Sequence, residues 1–131
     1  STQGYSSAAS DVYKRQGYLN EESLLLIDEP EAHLHPQWIV EFARLLVLLH
    51  KQVGLKIIVA SHNPDMVSAI QSIARKEGVL QNTCFYQAER ASEDSMQYVY
   101  KNLGSDISEI FKSFNIAISR IQDYGSTGLS E

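Results

Sequence analysis

Two short, unbroken apolar runs and three longer stretches of helical periodicity order this chain. The first run, LLLI at residues 24–27, passes directly into two acids, Asp28 and Glu29, and then Pro30. A run of that length closed by a breaker predicts a strand over residues 23–27, buried on both faces of a sheet. An unpaired carboxylate is costly to bury, so the two acids belong at an exposed strand end or beside a cation. Pro36 suits the first turn of a helix, where no N–H is required. Over residues 37–53 Trp38, Phe42, Leu45, Leu46 and Leu49 recur at helical spacing, and Val40, Val47 and Leu48 widen the stripe. The pattern predicts a mostly buried helix with Glu41, Arg44 and Lys51 wet and Gly54 as its stop.

KIIVA at residues 56–60 is the second run, apolar and β-branched. Two buried strands joined by a helix form a βαβ unit, with parallel strands and a right-handed crossover. Ser61 and His62 leave the second strand directly, so they belong at the same sheet edge as Asp28 and Glu29. Ligands bind at such strand ends in open α/β sheets. Asn63 and Pro64 form a cap and first-turn pair for a helix to residue 76, with Met66, Val67, Ile70 and Ile73 inward and Gly78 ending it. Residues 83–87 and 96–101 flank the polar stretch AERASEDS and predict a hairpin. A last helix fits residues 105–122, with Ile107, Ile110, Phe111, Phe114, Ile118 and Ile121 on one stripe. The closing YGSTGLSE reads as loop. Residues 1–16 carry no apolar period and read as a disordered or non-native tail. The folded part is therefore expected at 17–125, with 126–131 a second tail.

Composition narrows the classes. With 131 residues, 44% hydrophobic and 21% charged, the chain can bury a core of its own. A net charge of -5 argues against a broadly basic nucleic-acid surface, though not against a local patch or a DNA-binding partner. Cys84 is the single cysteine, so no internal disulfide forms; a small buried strand residue is the expectation. No apolar stretch approaches the roughly 20 residues that span a bilayer, and no secretory signal is seen, so the expected location is cytoplasmic with no membrane partner.

An apolar strand ending in Asp-Glu is what a nucleoside-triphosphate hydrolase places opposite its phosphate loop: one carboxylate for Mg²⁺, a second to orient water. A polar residue at the adjacent strand end can then contact the γ-phosphate. LLLIDEPEAHLHPQ followed by KIIVASHNPDMV resembles the second half of an ABC-type ATPase head. The group it resembles contains the OLD-family nucleases, RecF- and SMC-like repair ATPases and bacterial anti-phage ATPase subunits. The fold class implied is α/β, a partial P-loop NTPase parallel sheet with flanking helices, followed by a β-hairpin and a helix. By resemblance, Asp28 is the Mg²⁺-linked acid at the end of a Walker B strand and Glu29 the catalytic glutamate. His62 is the catalytic switch histidine, and Ser61 beside it binds the nucleotide. Residues 32–36 take the place of the D-loop, with His35 reaching the nucleotide across a head-to-tail dimer. The implied cofactors are ATP and Mg²⁺. The implied partners are a second copy or a partner ATPase subunit, with DNA reached through other domains. DNA processing and anti-phage defence are the implied tasks.

The chain also departs from that pattern. No lysine follows a glycine, so no GxxxxGK[ST] phosphate loop is present, and no LSGGQ-like signature occurs. The resemblance therefore implies the C-terminal part of a head, inactive alone. Two other classes stay open on the residues. One is an interaction module that pairs with a complete ATPase. The other is a zinc hydrolase using the HxH pair His33 and His35 with Asp28, Glu31 and His62.

Overall fold

A computed structural model of the chain describes residues 19–129. They fall into two compact units, divided between Thr83 and Cys84. In the first, β1 (Leu24–Asp28) runs into a short 3-10 turn at Pro30–His33, then α1 (Pro36–Val53), β2 (Lys56–Ala60) and α2 (Pro64–Lys76). The strands pair in parallel, from Leu24 opposite Lys56 to Asp28 opposite Ala60. This is the βαβ order that the two apolar runs predict.

Local chemistry sets the boundaries. Pro36 opens α1 after His35, and the missing N–H falls where none is needed. Gly54 closes the helix at φ 78, a left-handed conformation that costs glycine least, and its N–H donates to the His50 carbonyl at 2.9 Å. Asn63 caps α2, its Oδ1 accepting from the Asp65 and Met66 amides at 2.7 and 3.3 Å. Lys51 of α1 pairs with Glu77 at the end of α2 at 2.9 Å, and the lysine beside it holds the Glu77 carboxyl below its usual range.

The core of this unit joins the two helices. Ile39, Ala43 and Met66 are buried together, with Leu34, Phe42, Ala69, Ile70 and Ile73 packed around them. Leu46, Val47 and Leu49 of the expected α1 stripe are buried, but Ile39 and Ala43 complete it in place of Trp38 and Val40. Trp38 is 46% and Val40 53% exposed. The strands correct a second expectation, for they are not buried on both faces. Leu25, Ile27, Ile57 and Val59 are half-buried, while Leu24, Leu26 and Ile58 stand exposed on the other face. Side chains alternate across a strand, so a sheet covered on one side buries every second residue. Among the described residues of this unit no layer covers the opposite face.

The second unit contains an antiparallel hairpin, β3 (Phe85–Arg90) with β4 (Tyr98–Gly104), then α3 (Ser108–Leu129). The predicted hairpin is present, with both strands ending later than the sequence suggests. Asp106 accepts from the Ser108 amide at 2.9 Å at the start of α3, and this bond holds its carboxyl below the usual range. The helix continues to Leu129, correcting the loop expected for YGSTGLSE. That stretch has no proline, and each glycine costs a helix only about 1 kcal/mol. Cys84 is exposed and precedes β3, correcting its expected burial in a strand; its Sγ donates to Asn102 Oδ1 at 3.0 Å. The first tail, residues 1–16, lies outside the described residues, as do the last two of the second. No helix among the described residues is long and apolar enough to cross a membrane.

Candidate functional site

The parallel register delivers the two strand ends together. Asp28 lies opposite Ala60, and the Glu29 amide extends the ladder by donating to the Ala60 carbonyl at 2.7 Å. Glu29 then turns the chain. At φ 47 and ψ 56 it is the one described non-glycine residue with positive φ. A side chain in that region costs about 1–2 kcal/mol, so an acid here is a conformational expense that the surroundings must hold in place. The 3-10 turn holds it from one side, the Ala32 amide donating to the Glu29 carbonyl at 3.1 Å. His62 meets it from the other, Nε2 lying 2.8 Å from Glu29 Oε1. Both side chains are well exposed, so the contact adds little stability but fixes which groups face each other.

Asp28 is exposed and has no hydrogen-bond or ion-pair partner among the described residues. Its oxygens are open to solvent. Ser61 is occupied: its hydroxyl donates to Glu31 Oε1 at 2.8 Å and accepts from the Asn63 amide at 3.1 Å. The same Glu31 oxygen accepts the His62 amide at 3.1 Å, while Oε2 is buried without a partner among the described residues. Glu31 is the residue that sequence reasoning missed in this role. Its donors lie 30 and 31 residues away, and no local pattern announces such a bond.

His35 stands apart from the acid–histidine pair. It caps α1, Nδ1 accepting from the Gln37 amide at 3.4 Å. His33 ends the 3-10 turn, exposed. Among the described residues no three His, Cys, Asp or Glu side chains gather as a metal set. The zinc grouping of Asp28, Glu31, His33, His35 and His62 is therefore corrected: His35 is turned to its helix and Glu31 to Ser61 and the His62 amide.

Comparison with known proteins bears on the same segment. Residues 5–68 match a family model described as "AAA domain, putative AbiEii toxin, Type IV TA system". Two proteins of Clostridium perfringens are each 43% identical over 47 residues. They are the energy-coupling factor transporter ATP-binding proteins EcfA2 (strain SM101 / Type A) and EcfA3 (strain ATCC 13124 / Type A). The chain is similar to part of an AAA- or ABC-type ATPase. The matched stretch covers 36% of this chain but only 16% of either relative. No solved structure matches. The small parallel sheet with its helices is consistent with a partial P-loop NTPase fold, and the family match takes in β1, β2 and every side chain of the strand-end cluster.

Proposed function

We propose that residues 17–125 form the C-terminal part of an ATP-hydrolysing head of the OLD/RecF-like kind, in which the ends of β1 and β2 face the terminal phosphate. The observation that carries this reading is the contact between Glu29 and His62. Two side chains 33 positions apart, on consecutive parallel strand ends, meet at 2.8 Å with Glu29 held in a costly backbone conformation. Strain retained at a solvent-facing acid points to a positional requirement.

Each residue takes a distinct part. Asp28 suits Mg²⁺: a hard, exposed carboxylate with no protein partner, for an ion that uses one or two carboxylates and otherwise keeps water and phosphate oxygens. When bound, Mg²⁺ neutralises charge on the phosphate oxygens. Glu29 orients the attacking water. His62 donates toward the γ-phosphate. Ser61 lines the nucleotide, and His35 reaches it across a head-to-tail pairing with a second copy or a partner subunit. DNA processing or anti-phage defence is the proposed use of the hydrolysis, with DNA met through other domains or partners. The present chain has no phosphate loop and would not turn over alone.

The experiment begins with the reading frame upstream of Gly17. If it encodes GxxxxGK[ST], Glu29→Gln in that longer protein should lower ATP turnover about 100-fold or more while ATP binding persists. Unchanged turnover removes the assignment. One observation favours a second reading, an interaction module that pairs with a complete ATPase. Leu24, Leu26 and Ile58 form an open apolar face on a chain with no phosphate-loop sequence. A native start codon directly upstream would favour it.

A further inference from the structure

We propose that Glu31 is the positioning residue of this site: its carboxylate ties the loop leaving β2 to the turn leaving β1, and so sets His62 against Glu29. Glu29's left-handed backbone swings the chain off β1 into the turn Pro30–His33. Glu31 sits on that turn and presents Oε1 to two donors on the other loop, Ser61 Oγ at 2.8 Å and the His62 amide at 3.1 Å. Ser61 passes the connection on, accepting the Asn63 amide at 3.1 Å, and Asn63 caps α2. One carboxylate oxygen therefore links the Glu29 turn, the His62 backbone and the first turn of α2.

The second oxygen sharpens the case. Glu31 Oε2 is buried with no partner among the described residues. A buried polar atom without a partner is destabilising, so an acid chosen for stability alone would not leave it so. An apolar residue at this position would leave the Ser61 hydroxyl and the His62 amide without their acceptor. The importance of the tie for ATP hydrolysis rests on the function proposed above; the tie itself is independent of it.

The test uses the 131-residue chain and backbone amide exchange followed by NMR. Glu31→Ala should speed exchange at the His62 amide about tenfold, the effect of losing one hydrogen bond to a charged acceptor, while the α1 core amides stay as in the parent. In the same variant the His62 Nε2 nitrogen signal should move toward that of an imidazole without a carboxylate neighbour, because Glu29 no longer faces it. A merely stabilising role would not move that signal in folded molecules. Glu31→Gln keeps an acceptor oxygen and should restore most of both readouts. Should Glu31→Ala fail to fold, Ser61→Ala removes one end of the tie and should speed exchange at Asn63 and His62. Parent-like His62 exchange and nitrogen signal in Glu31→Ala, or parent-like exchange in Ser61→Ala where that variant replaces it, overturns the proposal. Failure of the ATPase reading appears elsewhere, as persistent turnover in Glu29→Gln.

Discussion

The backbone at Glu29 offers a test that separates conformation from chemistry. Replacing Glu29 with Ala or with Gly removes the same carboxylate and the same 2.8 Å contact with His62. The two variants then differ at the backbone alone. Alanine must still hold a Cβ at φ 47, which costs about 1–2 kcal/mol relative to a right-handed or extended residue. Glycine avoids that cost but loses about 0.5–1 kcal/mol of extra freedom on folding. The difference predicts Glu29→Gly more stable than Glu29→Ala by up to about 1 kcal/mol. Urea unfolding followed by circular dichroism reads it directly. With a slope of about 1–3 kcal/mol per molar for a small protein, a difference of about 1 kcal/mol would place the glycine midpoint roughly 0.3–1 M higher, and a smaller difference proportionally less. Alanine the more stable would refute the claim that Glu29 carries backbone strain. If alanine matches the parent protein, the carboxylate adds nothing to stability and the strain is tolerated for another purpose.

Two further outcomes test the frame around the site. Gly54→Ala should destabilise by about 1–2 kcal/mol, because its φ is 78 and a Cβ there would meet the Glu21 Cβ at 3.1 Å; urea midpoints check it. Lys51→Ala should remove a contribution that depends on pH. The lysine depresses the folded-state Glu77 carboxyl, so the stabilisation is present above the usual glutamate range and is lost as pH falls through the depressed value. The midpoint gap between parent and variant should therefore be open at neutral pH, close once acid has taken Glu77 through its depressed value, and narrow in high salt.

Much of this arrangement was legible in the chain because local chemistry fixed it. Pro36, Gly54, Asn63 and Pro64 sit where the helix ends require them, and KIIVA occupies the predicted strand. The parallel pairing followed from two apolar runs joined by one helix, and it delivered Asp28, Glu29 and His62 to one edge. What escaped depends on the surroundings. Trp38 and the outer face of β1 and β2 look like core by composition, but burial needs a covering layer that no apolar residue can supply for itself. The extension of α3 through two glycines escaped because propensity is a weak prior. Glu31 escaped because its partners are distant in sequence, and the left-handed turn at Glu29 because a glutamate does not announce it. His35 adds a local role that its resemblance did not announce, its Nδ1 capping the helix that follows.

The central claim is that Glu29 and His62 act as one ATP-hydrolysing unit. A double-mutant cycle on ATP turnover tests it most directly, in a longer protein whose upstream frame encodes a phosphate loop, with Glu29→Gln, His62→Ala and the pair together. Residues that act as a unit are strongly non-additive, so the double variant should turn over no more slowly than the slower single one. Losses that multiply, or single variants that keep parental turnover, would contradict the account.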